Sequence, residues 1–258
     1  MSFPNHPNKH TEEAVIQPAR FLDYLRSRGT YPAFPPPQGV ILCYQKRLLE
    51  YVLASHKTTR PAGGFGVYLL DETEGRVGIV GGFGIGAPAA ATLLEELIGF
   101  GVPRFLSIGT AGSLQTDIAI GDLVVCDRAI RDEGVSHHYL PPGKYAHADA
   151  GLTARLTQAL TAAGHAPVVG TSWTIDAPYR ETKAEVRAYQ QEDVACVEME
   201  AAALFAVARH RGAALGAMFT ISDSLASLEW HPEFHSDRTH QGLETLYQTA
   251  LACLTTAE

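Results

Sequence analysis

The chain alternates short apolar runs with longer segments of helical periodicity from residue 39 onward. VILCY (40–44), FLSIGTAG (105–112) and AALGAMFTISDSL (213–225) have the length and composition of buried strands. Between the first two, APAAATLLEELIGFG (87–101) carries leucines at helical spacing and ends in glycines. Strands that alternate with helices predict an α/β fold around a parallel or mixed sheet.

The remaining periodic segments extend this alternation through one domain, predicted to cover residues 39–258. An irregular N-terminal arm, residues 1–38, is rich in Pro, Asn and His, and residues 58–64 are predicted to form a loop. Further strands are predicted at 65–71, 76–84, 121–130 and 166–176, the first two as a hairpin. Further helices are predicted at 18–28, 46–55, 149–163, 180–192, 197–212 and 239–254, with Asp149 capping the third of these.

Charge and cysteine content exclude several classes of partner. The 258 residues carry a formal net charge of −8 without a basic stripe, so nucleic acid is not an expected partner. An anionic substrate would need a local cation or backbone N–H groups. The four cysteines are far apart in sequence, which favours free thiols over a metal site. Free thiols in turn favour a cytoplasmic location. Because no apolar run reaches about 18 residues, no membrane partner is expected, and the polar N-terminus does not resemble a signal peptide.

In a sheet of this kind ligands bind beyond the carboxyl ends of the strands. The stretch GFGIGAP (82–88) occupies such a place and opens a helix, so its backbone N–H groups could bind an anion. A tight turn without a ligand is the alternative. The glycine spacing is not that of a dinucleotide-binding fingerprint, which disfavours a dinucleotide-binding enzyme.

Two glutamates, Glu198 and Glu200, open the segment VEMEAAALFAVARHRG (197–212). A buried carboxylate needs partners, and the positive end of a helix tolerates one. Glu198 could serve the helix dipole alone. A carboxylate at this place can also accept hydrogen bonds from the 2′- and 3′-hydroxyls of a ribose, each stabilising by roughly 1.5–3 kcal/mol.

Other polar groups follow predicted strands at the same edge. Asp223, in SDSL (222–225), could cap a turn or hold a proton for a leaving group. Thr110, in SIGTAGS (107–113), offers a hydroxyl in a glycine turn, which local turn chemistry also explains. The segment SWTIDAPYRET (172–182) places two aromatic residues and a cation in one connection, where a planar base could stack or where the aromatics simply pack.

The ordered set GIGAP, FLSIGTAGSL, GDLVV, VEMEAAAL and FTISDS resembles the nucleoside phosphorylase family over about residues 39–254. That family includes uridine phosphorylase, hexameric purine nucleoside phosphorylase and methylthioadenosine nucleosidase. The resemblance implies a single α/β domain with a mixed, barrel-like central sheet flanked by helices. It also implies cleavage of the bond between ribose C1′ and a base nitrogen, without a cofactor, by a homodimer or a hexamer built as a trimer of dimers.

The resemblance also assigns roles to individual residues. Glu200 would bind the ribose hydroxyls, Met199 would pack on the sugar, and Glu198 would lie close by. Asp223 falls where purine-cleaving members protonate the base. Thr110, Gly84 and Gly86 would line the phosphate or water site. The base pocket would be lined by Trp173, Asp176, Tyr179, Arg180 and Ser222.

Departures from the family pattern concern the phosphate site. The family's Gly-Asp-Pro-x-Arg loop is replaced by ILCYQKRLLEY, and an arginine position is occupied by Ser107. Lys57 or Arg60 would have to replace the arginine that a neighbouring subunit donates. The sequence therefore supports cleavage of the glycosidic bond better than it supports phosphate as the nucleophile. A phosphorylase with inorganic phosphate as co-substrate is still the first expectation, with two alternatives. These are a hydrolytic nucleosidase that uses water and a non-catalytic nucleoside-binding relative. The residues leave the base open between purine and uridine types.

Overall fold

The computed structural model describes residues 6–63 and 65–256. Its α-helices are α1 (Pro18–Ser27), α2 (Lys46–Ser55), α3 (Ala87–Phe100), α4 (Ala150–Ala162), α5 (Lys183–Gln190), α6 (Ala201–Arg211) and α7 (Asp237–Thr255). Its strands are β1 (Gly39–Cys43), β2 (Thr58–Thr59), β3 (Tyr68–Leu70), β4 (Val77–Gly81), β5 (Arg104–Ser113), β6 (Leu123–Asp132), β7 (Tyr145–His147), β8 (Val168–Ile175), β9 (Cys196–Glu198), β10 (Ala214–Ser224) and β11 (His231–Pro232).

The strands form one mixed sheet that closes on itself. Five strands pair in the order β10, β6, β8, β9, β5. The last of these, β5, also pairs with β10, which closes a five-stranded barrel. β1, β4, β3 and β2 continue the sheet outward from β5. Helices flank this sheet within a single domain, so the predicted α/β, barrel-like fold is confirmed.

Parallel pairing brings several strand ends to one edge of the sheet. β1 runs parallel to both β4 and β5, and β5 runs parallel to β10. Their carboxyl ends therefore lie together, and the segments that follow β1, β4 and β10 meet near the end of β5. This is the edge at which the sequence placed its polar clusters.

Helix α6 is buried along most of its length, from Ala201 to Ala208. Its small alanine side chains let it pack against both α3 and the barrel strands. A helix that is apolar on all sides is stable only inside a protein. The position of its first turn is therefore fixed by packing, which matters because Glu200 and Glu198 lie at that turn.

Several predicted boundaries differ from the structure. The segment predicted as a helix from 197 begins as strand β9, because Val197 and Glu198 pair with neighbouring strands, and α6 starts at Ala201. The predicted loop 58–64 contains β2, which pairs with β3, while Gly64 lies outside the described residues. The helix predicted at 180–192 is confined to α5 by a capping box between Thr182 and Glu185.

The predicted N-terminal arm contains a short 3₁₀ helix, Lys9–Thr11, and then α1. Helix α1 packs on α3 at Gly99, where an added Cβ would lie 2.6 Å from the Cβ of Pro18. Residues 1–5 of the arm and residues 257–258 of the predicted domain lie outside the described residues. In the described part of the chain, no helix is long and apolar enough to cross a bilayer.

Candidate active site

Glu200 is a buried carboxyl group at the N-terminus of α6. Its side chain is 7% exposed, and its Oε1 accepts a hydrogen bond from the Gly86 amide at 2.5 Å. Burial, followed by the charge of Glu198, raises the pKa of Glu200 to about 8, although the Gly86 and Met199 amides oppose this shift. A carboxylate can accept about four hydrogen bonds, so Glu200 retains capacity for hydroxyl donors.

Glu198 is buried two residues earlier, but its carboxylate is already saturated. Its Oε1 accepts hydrogen bonds from the Ser172 hydroxyl at 3.0 Å and the Thr174 hydroxyl at 2.5 Å. Its Oε2 accepts the backbone N–H groups of Glu200 and Ala201, both at 2.7 Å. Glu198 therefore caps the first turn of α6 and fixes the backbone of Glu200. Burial still raises its pKa.

The glycine turn between β4 and α3 lies directly against Glu200. Gly84 and Gly86 have φ values of +101° and +92°, which residues with a Cβ rarely adopt. Gly86 is the N-cap of α3, and a Cβ built on it would lie 4.0 Å from the Cε of Met199. The turn therefore brings backbone N–H groups, a helix N-terminus and Met199 to the Glu200 carboxyl.

Neutral side chains occupy the ends of β1 and β5 beside this turn. The Tyr44 hydroxyl lies 3.1 Å from the Ser107 hydroxyl, and the Gln45 amide donates to the Thr110 hydroxyl at 3.1 Å. Burial, and then the charge of Glu200, raise the pKa of Tyr44 well above its usual value. The Gln45 Oε1 is buried without a hydrogen-bond partner in the described structure.

Asp223 lies one strand away from the glutamates. Gly112 of β5 pairs with Val197 of β9 on one side and with Asp223 of β10 on the other. The Asp223 Oδ1 accepts from the buried Ser222 hydroxyl at 2.8 Å, and its Oδ2 accepts from the Trp230 indole N–H at 2.9 Å. The structure therefore places Asp223 and Ser222 at the same barrel end as β9 and Glu200.

Glu181 is a second carboxyl group close to Asp223. Burial, followed by the charges of Asp223 and Glu185, raises the pKa of Glu181 to about 7. Because burial and these neighbouring charges disfavour its ionised form, Glu181 keeps its proton up to nearly neutral pH.

Lys57 and Arg60 belong to the hairpin at the outer edge of the sheet. Lys57 pairs with Asp71 at 3.3 Å, and the Arg60 guanidinium lies over the Tyr68 ring at 5.0 Å from its centroid. Strands β4 and β1 lie between this hairpin and β5. These contacts hold both cations on the outer hairpin, and neither contact joins them to Glu200.

The predicted base-pocket segment is divided between the core and the surface. Trp173 is fully buried and donates its indole N–H to Asp132 at 2.9 Å. Asp176 accepts the Gly134 amide at 2.8 Å, and Tyr179 is 100% exposed. Asp176 and Arg180 line a surface cavity of about 410 Å³.

A larger cavity of about 660 Å³ lies beneath the N-terminal arm, lined by residues such as Phe21, Pro88 and His210. None of the predicted site residues lines it. Among the described residues, no group of three His, Cys, Asp or Glu side chains is arranged to hold a metal ion.

Sequence reasoning did not select Tyr44, Gln45, Glu181 and Trp230 as site residues. Tyr44 and Gln45 follow the apolar run of β1 immediately, so their position at a strand end is a signal available in the sequence. Glu181 and Trp230 are brought to Asp223 by connections whose course has no periodic signal, and only the structure reveals them.

The sequence matches the model of the phosphorylase superfamily over residues 44–255. It is 37% identical to a guanosine phosphorylase of Halorubrum lacusprofundi, over 56% of this chain and 60% of the relative. It is 32% identical to a uridine phosphorylase of Haemophilus influenzae, over 57% of this chain and 64% of the relative. It is 34% identical to a purine nucleoside phosphorylase DeoD-type of Caldanaerobacter subterraneus, over 58% and 66%. The alignments thus span about three fifths to two thirds of these relatives' lengths.

The matched range includes the glycine turn, β5, Glu200 and Asp223, so it covers the whole candidate site. The resemblance inferred from the sequence motifs is confirmed. This chain belongs to the phosphorylase superfamily.

Proposed function

We propose that the chain is a nucleoside phosphorylase, a pentosyltransferase that cleaves the N-glycosidic bond of a nucleoside with inorganic phosphate. The products are the free base and ribose 1-phosphate. A purine nucleoside is the favoured substrate, and a uridine-type nucleoside is the alternative. The observation that carries the proposal is the buried Glu200 carboxyl, which has spare hydrogen-bonding capacity beside the glycine turn.

Glu200 would bind the sugar. Two vicinal hydroxyls of ribose can donate hydrogen bonds to one carboxylate, and such bonds favour its charged form. In Glu200 they would oppose the burial that raises its pKa to about 8. The carboxylate would also lie near the sugar as C1′ acquires positive charge. It would therefore bind the transition state more tightly than the ground state. Met199 would pack on the sugar from the same turn, while Glu198 would hold the backbone in place.

Asp223 would protonate the leaving purine as negative charge moves into the base. General-acid help of this kind accelerates a reaction by about 10²–10⁴-fold. The neighbouring Glu181, with a pKa of about 7, supports a supply of protons near neutral pH. Ser222 would orient one oxygen of Asp223. A purine is favoured because a pyrimidine has no comparable ring nitrogen to protonate.

Phosphate would bind at the glycine turn. The amides near Gly84 and Gly86, the Thr110 hydroxyl and the N-terminus of α3 offer donors without a cation. Because Lys57 and Arg60 lie on the outer hairpin, they could complete the phosphate site only across a subunit interface. A homodimer, or a hexamer made of three dimers, is therefore part of the proposal.

Hydrolysis by water is the second candidate, and the neutral groups beside the turn favour it. Phosphate carries nearly two negative charges, whereas Tyr44, Gln45, Ser107 and Thr110 are uncharged. The unpartnered Gln45 Oε1 is an acceptor, which suits a water molecule better than a phosphate dianion. A non-catalytic nucleoside-binding protein is the third possibility, compatible with an intact sugar site.

The proposal is tested by incubating the enzyme with guanosine, inosine, adenosine and uridine, with and without phosphate. We expect free base and ribose 1-phosphate only when phosphate is present, with purine nucleosides cleaved faster than uridine. Free ribose released at the same rate without phosphate identifies the hydrolase instead. Saturable nucleoside binding without any release of base identifies the non-catalytic relative.

The four cysteines are free and buried, which fits a reducing compartment. A cytoplasmic location is therefore part of the proposal, to be checked by fractionating the source cells.

A further inference from the structure

Trp230 is an exposed aromatic residue that is tied to Asp223. Its side chain is 60% exposed, whereas tryptophan is highly buried on average. Its indole N–H donates to the Asp223 Oδ2 at 2.9 Å. The chain contains two tryptophans, and the other, Trp173, is fully buried.

The segment that carries Trp230 is folded back on β10 by defined contacts. β11 pairs antiparallel with the end of β10, so that Pro232 lies opposite Asp223 and His231 opposite Ser224. The Glu233 amide donates to the Ser222 carbonyl at 2.8 Å. These contacts on the C-terminal side of Trp230 hold its indole at Asp223.

The two oxygens of Asp223 have chemically different partners. An indole N–H can only donate, and the unprotonated oxygen of a carboxyl group is the stronger acceptor, so the contact favours Oδ2 as the unprotonated oxygen. The Ser222 hydroxyl at Oδ1 can donate or accept by rotating its hydrogen. While the indole contact is present, a proton on Asp223 is therefore favoured on Oδ1 over Oδ2.

We propose that Trp230 is a positioning residue that makes the Asp223 Oδ1 the oxygen that delivers the proton to the leaving base. The role rests on the proposed function, in which Asp223 is the general acid. The proton on Oδ1 moves to a base nitrogen as the C1′–N bond breaks and its electrons pass into the base. A phosphate oxygen bonds to C1′, and the carboxylate left behind keeps the indole N–H on Oδ2.

The test compares Trp230→Phe with the wild-type enzyme on two substrates. Phenylalanine keeps an aromatic ring but removes the N–H. Guanosine needs a proton on its base to leave, whereas N7-methylguanosine already carries a positive charge there. We expect kcat for guanosine to fall by about 10-fold or more with KM changed by less than about 3-fold, since hydrogen bonds to charged groups contribute about 1.5–3 kcal/mol. N7-methylguanosine turnover should stay within about 3-fold of wild type.

Phe234→Leu is the matched control. The Phe234 ring lies 6.0 Å from the Trp230 ring, measured between centroids, and has no N–H group to donate to Asp223. It should leave both substrates within about 2-fold of wild type. Equal losses on both substrates in Trp230→Phe, or no loss on either, would overturn the positioning role.

A second measurement does not depend on turnover. Trp173→Phe assigns the two indole N–H signals in a ¹H–¹⁵N spectrum, and Asp223→Ala should then move the Trp230 signal and leave the Trp173 signal in place. An unmoved Trp230 signal overturns the inference whatever the kinetics show. A wild-type chain that releases no base from either nucleoside refutes the proposed function, and with it proton delivery, even if the indole contact persists.

Discussion

The Oε2 of Glu198 lies 2.7 Å from the backbone nitrogen of Glu200, and this contact separates the tasks of the two glutamates. The Glu198 carboxylate accepts hydrogen bonds from the backbone and hydroxyl donors around the first turn of α6. Glu200, held by that turn, points its own carboxylate at the Gly86 amide. One carboxylate builds the site, and the other is left with the capacity to bind a ligand.

Removing the charge of Glu200 should stabilise the fold at high pH. Its pKa is raised from 4.5 to about 8, so the folded state favours the protonated form, and the stability linked to it is lost as pH rises toward 8. Glu200→Gln should therefore raise Tm by on the order of 5 °C or more at pH 9 and change it little at pH 5. Thermal unfolding at both pH values checks this, and a Tm difference that does not depend on pH contradicts it.

Loss of Glu198 should damage the fold itself. Glu198→Ala leaves buried hydroxyl and N–H donors at Ser172, Thr174 and the start of α6 without their acceptor. We expect the free energy of unfolding to fall by about 2–5 kcal/mol. Urea denaturation measures it, with Glu50→Ala on the exposed face of α2 as a control that should change stability by less than about 0.5 kcal/mol. A loss below about 1 kcal/mol for Glu198→Ala would show that the cap is dispensable.

Asp223→Asn should stop chemistry without unfolding the chain. Asparagine keeps an acceptor for the Trp230 indole but cannot supply the acid proton. Single-turnover release of guanine should slow by about 10²–10⁴-fold, while the Tm stays close to wild type. Base release at the wild-type rate would remove Asp223 from the role of general acid.

Gly86→Ala should weaken the site through the backbone. A Cβ at Gly86 meets no close neighbour, but its φ of +92° with ψ of 157° strains a residue with a side chain by about 1–3 kcal/mol. Relief of that strain would move the amide away from Glu200, so kcat/KM should drop by about 10-fold or more.

Gly212→Ala is the matched control for backbone strain. Gly212 has a φ of +73°, with open space around it, at the opposite end of α6. Because Gly212 lies in the left-handed helical region, Gly212→Ala should lower the free energy of unfolding by about 1 kcal/mol and leave kcat/KM within about 2-fold. If both variants lose activity equally, the Gly86 amide has no special role at Glu200.

The parts of the fold that follow from periodicity could be predicted from the sequence. The buried run ending in Asp223 is β10, and the leucine-bearing segment after the glycine turn is α3. The start of α6 could not be placed, because Val197 and Glu198 are drawn into β9 by neighbours distant in sequence. Propensity within the segment carries no information about those partners.

The candidate site shows the same division. Glu200, Gly86 and Asp223 stand at strand or helix ends, where topology alone brings them to one edge. Trp173 has the residue type for a base platform, but its ring is fully buried in the core. The exposed indole at Asp223 belongs instead to Trp230, in a connection whose path depends on the β10–β11 pairing.

Sugar binding by Glu200 can be measured with a pair of substrates that differ only in the hydroxyls assigned to this residue. We would measure kcat/KM of wild type and Glu200→Gln on inosine and on 2′,3′-dideoxyinosine, in phosphate. We expect the substitution to lower kcat/KM at least about 10-fold on inosine, through KM and kcat together, and to leave the dideoxy substrate within about 3-fold. Equal penalties on both substrates, or no penalty on inosine, would contradict the assignment of Glu200 to the sugar.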